Sequence, residues 1–556
     1  MRLLAVFVLV GAGLLRLPGL RTELSMDEIW SVQNVSAASA WWDLFLRFKI
    51  DNNHHLTSLY MYGLGSSASP TAYRLLALVS GIATVPLAWR IGARESRISA
   101  LTTTLLLGTS AVLVFYASEA RGYSTVVCLT LAAWYALQRY AETPSARWTI
   151  IFAVCSVLGV LAHQTFVMFY VGAFVWCDAH LQRTHRLREA TRLTRRLFAV
   201  PTVLIALFAV VALRGQEIGG GPPFHVLTVV AQTLSAVSGG PQGGVGLWVA
   251  ASMVGSVCAI AVCSAYRAGD DRWILFVTAG VVAPLLIVLA RQPTTLAPRY
   301  FLVPAAVLLL AVSSWLARLI PSGTAQRRIA MALVTLHVVG GVWFTFSEAS
   351  SRGHSRAAIE HMLAASPDVV TVTSSDRYGG SDYRTQMVVD YYGRVLSGNR
   401  QVRYISPGDY RPGRADWVIV ETLGQSAEAE ISDPFGQRFG LAGVYPAGAL
   451  SGTSWYLYRR RLRSGAASSL LPAQISSKTQ SKPRARSLTG RSCSSSECPA
   501  FLFDDDRHAC VDCDLRASPS GGPARTHSPG QSRMELLSAS ELKCWTERRR
   551  AILKGE

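Results

Sequence analysis

The sequence predicts an all-α polytopic membrane protein of about eleven transmembrane helices, with a small C-terminal α/β domain and a disordered tail. Three observations predict it. Half of the 556 residues are apolar and only 16% are charged, which is lean for a water-soluble chain. The apolar residues fall in repeated runs, each close to the ~20 residues that cross ~30 Å of hydrocarbon as a helix. After residue 347 the runs give way to short strand-like and helix-like patterns. Beyond about residue 462 there is only Ser/Pro/Arg-rich sequence without periodicity.

The expected spans are 3–20, 72–89, 99–117, 123–138, 148–163, 166–181, 197–213, 244–265, 273–290, 300–317 and 329–347. Residues 2–20 also resemble a signal peptide. Arg16 interrupts that run and no small-x-small cleavage site follows, so a retained first helix is the better reading. Alternate loops between the spans are rich in arginine, with six between Gln182 and Arg196 alone. The positive-inside rule therefore places the N-terminus in the cytoplasm and the C-terminal domain outside, in a multi-pass plasma-membrane protein. This divides the chain into a transmembrane domain (1–347), an extracytoplasmic α/β domain (348–462) and a tail (463–556). Within the second, strands are expected at 368–373, 401–405, 417–421 and 454–458, and helices at 355–365 and 380–395.

The net charge of +19 does not indicate nucleic acid. Much of it lies in the tail and in the short arginine-rich loops, and no nucleic-acid motif is present. Cys128, Cys155, Cys177, Cys258 and Cys263 fall within spans as small packing residues. The other five cysteines lie in the tail, where Cys493, Cys498, Cys510 and Cys513 fit zinc spacings poorly.

The loops on the outer side hold the chemistry. The first, 21–70, contains Asp27 and Glu28 a few residues beyond the first span, where uncompensated carboxylates near hydrocarbon are costly. A second polar cluster follows at Asp51-Asn52-Asn53-His54-His55. Between them Trp41, Trp42, Phe45, Phe48 and Ile50 are spaced for an amphipathic helix in the interface. Loop 214–243, with Gly219-Gly220-Gly221-Pro222-Pro223, reads as a mobile gate. Arg74 opens the second span, Glu119 and Arg121 join the third to the fourth, and Arg299-Tyr300 opens a late one.

The order of these features is similar to that of the membrane glycosyltransferases with the GT-C fold: an acidic pair after a short first span, an Asn/His cluster, Arg74-Leu75-Leu76, then Ser118-Glu119-Ala120-Arg121-Gly122-Tyr123, Arg299-Tyr300 and a small closing domain. Within that fold it most resembles glycosyltransferase family 39, the protein O-mannosyltransferase-like proteins and the lipid A aminoarabinose-transferase-like proteins, over roughly residues 1–460. The resemblance implies an inverting transfer of a sugar from a polyprenyl-phosphate carrier to a hydroxyl of a cell-envelope glycan, lipid or protein, on the outer membrane face. It implies Asp27 as the base, with Glu28 beside it orienting the acceptor or holding the loop. Arg74, Arg299 and Tyr300 would meet the carrier phosphate. Glu119 and Arg121 either pair internally or line the cleft. His54 and His55 stand where many members carry His-Pro-Pro or Asn-His, and the missing proline pair is a departure. They are read as hydrogen-bonding to sugar or phosphate. No cofactor is assigned, and a divalent metal beside Asp51 is the alternative. The implied partners are the donor, membrane lipids and the acceptor. Rival readings are a lipid-linked sugar flippase or transporter, with charges near mid-membrane, and a glycan polymerase or ligase using a lipid-pyrophosphate donor.

Because the tail lacks apolar periodicity, deleting residues 465–556 is expected to leave expression and monodisperse elution in detergent unchanged. Aggregation of the truncated chain would show that the tail contributes to folding.

Overall fold

The computed structural model describes residues 2–461 except 51, 217–224, 292, 294–295, 350–353, 367–368, 376–381, 399, 423–425, 449 and 451. The tail with its five cysteines, the Gly219–Pro223 stretch and Asp51 therefore lie outside the described residues.

Helix α1 (Arg2–Leu14) ends in a short 3-10 turn, Pro18–Arg21. Three short helices follow in the first long loop: α2 (Met26–Ser36), α3 (Asp43–Leu46) and α4 (His55–Leu64). Then come α5 (Pro70–Gly92), α6 (Arg97–Thr109), α7 (Ala111–Tyr116), α8 (Tyr123–Glu142), α9 (Ala146–Ala162) and α10 (Phe166–Thr184). Helix α11 (Leu187–Phe208) runs on through a π-turn to Leu213, and α12 spans Val226–Val237. The remaining membrane-domain helices are α13 (Gly244–Arg267), α14 (Trp273–Val277) joined by a π-turn to α15 (Ala283–Arg291), α16 (Leu302–Leu319) and α17 (Thr324–Ala349). Seven described helical segments are long and apolar enough to cross a membrane. All seven coincide with expected spans, and helices also occupy the other four positions.

Their burial sorts them into centre and periphery. The segment Pro298–Leu319 is 83% buried, against 22% for Leu187–Leu213 and Gly244–Arg267. The outer helices turn Val203, Val245 and Trp343 outward, as expected where the surrounding solvent is hydrocarbon. Hydroxyl pairs tie the inner helices together: Thr103 donates to Ser313 at 3.0 Å, and Ser80 to Thr125 at 3.1 Å.

Four expectations change. The span expected over 99–117 is broken at Ser110, whose φ and ψ are −56° and 118°. There Ser110 Oγ donates to Val237 O at 2.9 Å, and Gly341 lies so close to Thr109 O that a Cβ would be 1.9 Å from it. Loop 214–243 is not all loop, since it contains α12. The interfacial helix over 41–50 is reduced to the single turn α3. Asp43 accepts the N–H groups of Ser39 and Ala40, and the Asn53 amide takes the carbonyls of Leu44 and Phe48, so side chains hold this segment in place of a helical ladder.

The fourth change is in the C-terminal domain. Helices α18 (Ser355–Ala365) and α19 (Asp382–Leu396) and strands β1 (Val369–Ser375), β2 (Gln401–Ile405) and β3 (Trp417–Thr422) match expectation, as does the last strand, Ser454–Arg460. Two more strands, β4 (Glu430–Ser432) and β5 (Arg438–Tyr445), precede that last one, β6. Strand β4 is only three residues long, and β5 holds Gly440 and Gly443 with a register shift between Leu441 and Gly443, so neither shows a clean alternation. The mixed sheet runs β2-β1-β3-β6-β5-β4, parallel across its first three strands and antiparallel beyond.

This domain docks on the first loop. Ile29, Val32 and Val35 of α2 share one apolar cluster with Met387, Val388 and Tyr392 of α19. Tyr392 Oη donates to Leu24 O at 3.0 Å, and the Trp30 and Tyr383 rings meet edge-on at 6.4 Å. Glu23 accepts the backbone N–H groups of His354 and Arg356 at the start of α18, where the helix dipole favours an anion.

Arg188 and Arg394 are both exposed. In a background without native cysteines, Arg188→Cys is expected to resist an impermeant thiol reagent in intact cells and Arg394→Cys to react. The reverse pattern would place Asp27 in the cytoplasm.

Candidate active site

Helix α2 begins with a capping box. Ser25 Oγ accepts the Glu28 N–H at 3.4 Å, and Glu28 Oε2 accepts the Ser25 N–H at 2.8 Å. The same carboxylate meets Arg74 of α5 side-on, with Nε to Oε1 at 2.8 Å and Nη2 to Oε2 at 2.7 Å. Oε1 also accepts the Ala120 N–H at 2.7 Å. Arg74 donates further to the carbonyls of Gly19, Thr22 and Glu23. Both side chains are essentially inaccessible, at 0% and 1% exposed. Glu28 and Arg74 thus join α2, α5 and the 118–122 loop into one frame, and neither faces open space.

Asp27, the neighbouring residue, points elsewhere, as consecutive helical residues must. Its side chain is 19% exposed. Arg121 Nη1 and Arg299 Nη2 both bind its Oδ2, the latter at 3.2 Å. Among the described residues no donor bonds to Oδ1. Burial pushes this carboxyl up, but the charges of Arg121 and Arg299, with Arg384 of α19 further off, outweigh it and hold it below the usual aspartate value. Asp27 is therefore ionised at neutral pH, with one oxygen pinned and the other unbonded.

Each nitrogen of the Arg121 guanidinium makes a hydrogen bond. Besides Asp27 it donates through Nη2 to Asn52 Oδ1 at 2.7 Å and through Nε to His54 Nε2 at 3.1 Å, and it lies 5.0 Å from the Tyr123 ring centre. The His54 bond fixes that ring nitrogen as an acceptor. Burial and the Arg121 charge keep the imidazole well below its usual pKa, hence neutral. His54 stacks on His163 at 4.9 Å, and Tyr123 packs against both, at 5.1 Å and 4.7 Å. Gly122 permits this crowding: a Cβ there would lie 1.8 Å from Ala162 O.

A largely apolar cavity of about 560 Å³ opens beside this cluster. His54, His55, His163 and Tyr300 line its polar wall, and residues such as Val167, Ile205, Leu213 and Val288 line the rest. His55 is wedged between Phe45 and Phe208, and burial lowers its pKa to about 4. Its Nε2 is buried without a partner.

Asp27, His54, Arg121, Arg299 and Tyr300 thus come together, with His55 on the cavity wall. Glu119 sits in the same loop as Arg121 and is buried. Asn52 was missed by the sequence reading: its amide holds Asp27 O at 3.0 Å and Ser31 Oγ at 3.1 Å while its carbonyl orients Arg121. Tyr123 was missed as a site residue too, whereas His163 is read from sequence, with Gln164, as either hydrogen-bonding to sugar or phosphate or capping a helix. The one local signal available was the Ser-x-x-Glu spacing of Ser25 and Glu28, which marks a helix start. Among the described residues no group of three or more His, Cys, Asp or Glu is placed to hold a metal ion.

Glu28→Gln is expected to destabilise the protein by about 3 kcal/mol, the scale for leaving one partner of a buried pair alone, read as a lowered unfolding midpoint in detergent. Burial raises the Glu28 pKa, yet Arg74 and the N–H donors bring it below its ordinary value. The pair's contribution is therefore complete above the unfolded glutamate pKa of about 4.3 and is lost as pH falls through the folded value. Glu28→Gln should flatten that acid limb. An unchanged midpoint would show that the frame does not depend on the pair.

No family model matches the chain, and no curated protein matches it. Among solved structures it is similar to ArnT from Cupriavidus metallidurans bound to undecaprenyl phosphate, with 13% identity over 84% of this chain and 99% of that one, at a TM-score of 0.43. The apo state of the same protein gives 12% identity, 82% and 97% coverage and a TM-score of 0.43. The Archaeoglobus fulgidus oligosaccharyltransferase, in a complex with Zn and sulfate, is 11% identical over 74% of this chain and 68% of that one, at a TM-score of 0.44.

Proposed function

We propose that this chain is an inverting membrane glycosyltransferase that moves a sugar from a polyprenyl-phosphate carrier to an acceptor hydroxyl. One observation carries the reading: two arginines share a single carboxylate oxygen of Asp27, and they touch His54 and Tyr300, which line an apolar cavity. Arg121 also feels the carboxylate of buried Glu119, so the charge left for a further anion is that of Arg299. The adjoining cavity suits an isoprenoid chain, and a polyprenyl phosphate combines the two features in one molecule.

The chemistry follows from the same groups. The acceptor oxygen attacks the anomeric carbon from the face opposite the phosphate, and the C–O bond to phosphate breaks. The acceptor proton passes to Asp27 Oδ1, and the phosphate leaves as an anion onto Arg299. A guanidinium suits that task because it stays charged and presents paired donors to phosphate oxygens. Arg121, committed to Asn52 and His54, positions Asp27 and keeps its place when Arg299 turns to the phosphate. Losing Arg299 relaxes the hold on Asp27, so donor binding raises the pKa of the base and strengthens it. Tyr300, His54 and His55 face the donor from the cavity wall. Glu28 and Arg74, in this reading, hold the loop and contact neither substrate. An outward-facing site follows from the arginine-rich loops.

Asp27→Asn keeps shape but removes the proton acceptor. Turnover with a polyprenyl-phosphate sugar and a membrane acceptor extract should fall about 10²-fold or more, with donor binding retained. Arg299→Ala should instead weaken donor binding, with Arg299→Lys restoring it only in part. A near-normal rate in Asp27→Asn would remove the base assignment. Normal donor binding in Arg299→Ala would remove the phosphate assignment.

A further inference from the structure

We infer that Arg16, Tyr123 and Ser124 form a buried site for one monovalent anion of halide size, in a gap lined by none of the residues that bind Asp27. Arg16 is 1% exposed within the helical bundle. Among the described residues it has no carboxylate partner. Its Nη1 donates to Ala12 O and to Gly108 O, the latter at 3.0 Å. These carbonyls belong to the last turns of α1 and α6, whose partial negative charge offsets part of the guanidinium charge. Nε, however, is buried without a partner, and a guanidinium can only donate.

A second unspent group lies nearby. Tyr123 is fully buried and its hydroxyl has no partner either. Arg16 and Tyr123 line one small cavity of about 10 Å³, together with Gly81, Thr84, Tyr116 and Ser124. That is close to the space of one solvent molecule. A Cβ on Gly81 would lie 3.0 Å from Ser124 Oγ and 3.3 Å from Arg16 Cδ, so the inner end of Arg16 and the Ser124 hydroxyl border the same gap. The Thr84 hydroxyl already donates to Ser80 O at 3.0 Å.

Unspent donors around one solvent-sized space, beside a buried cation, call for an acceptor that also carries negative charge. A halide meets both needs and, though larger than water, is the smallest common monovalent anion; a phosphate or carboxylate is too large for the gap. A water molecule would take the hydrogen bonds but leave the charge uncompensated, which is costly in a low-dielectric interior. The tyrosine hydroxyl held at one end of the ring fixes the other faces, on which His54, His163 and Arg121 pack. The anion would thus brace the active-site wall without touching substrate.

The test uses the full-length purified chain in detergent, unfolded by heat in gluconate, chloride or bromide at equal ionic strength. Halide is expected to raise the midpoint by roughly 2–5 °C over gluconate through preferential binding to the folded state. The increment should vanish in Arg16→Met, shrink in Tyr123→Phe and persist in Arg299→Gln. Equal midpoints in the three salts, or an increment that survives Arg16→Met, would overturn the proposal. An increment lost in Arg299→Gln would also overturn it, by moving the halide to the arginine cleft. Should Arg16→Met fail to fold, anomalous scattering from bromide-soaked crystals decides: a peak at Arg16 Nε supports the site, and water density alone there overturns it.

Discussion

The buried contact between Glu28 and Arg74 is the interaction on which the site depends. It is a weak source of net stability, since taking both charges out of water offsets most of their attraction. Its consequence is geometric. The carboxylate simultaneously caps α2, grips α5 and holds the Ala120 N–H. Three segments far apart in sequence are thereby fixed to one another to within a hydrogen-bond length. Asp27 and Arg121 ride on two of them, and their ion pair follows from that frame.

A second constraint is the excess of positive charge around Asp27. In water such a cluster would be screened; at the edge of an apolar bundle it is felt over a longer range. Asn52 and neutral His54 each hold one nitrogen of Arg121, which sets the direction in which it meets Asp27. Among the described residues Arg299 is tied to the cluster's side chains through Asp27, and its Nε is buried without a partner. The two arginines are therefore held unequally: Arg121 by Asp27, Asn52 and His54, Arg299 by Asp27.

The C-terminal domain completes the arrangement from above. Its helix α19 packs on the apolar face of α2, and Glu23 holds the start of α18. The face of α2 left over carries Asp27. Arg384 of α19, 3.9 Å from Glu421, adds its field to the same carboxylate. A domain that reads in sequence as an appendage is thus part of the frame that orients the acid.

The sequence by itself determined the helices and most strands. A segment in hydrocarbon must satisfy its backbone internally, so each apolar run is read directly as a helix. Arg188 and its neighbours bias the orientation for an equally local reason. Strand β3, buried throughout, announces itself as Trp417-Val418-Ile419-Val420. What only the tertiary structure decided was the partner of each polar group. Asp27 and Glu28 are chemically alike and adjacent, yet Glu28 is sealed under Arg74 and Asp27 turns to Arg121 and Arg299, because α2 turns its successive residues by about 100°. Arg74, Arg121 and Arg299 are likewise equivalent as letters. Their different surroundings depend on contacts of Arg74 with Glu28, of Arg121 with Asp27 and of Arg299 with Asp27, between residues 46, 94 and 272 positions apart, and no local pattern encodes such distances.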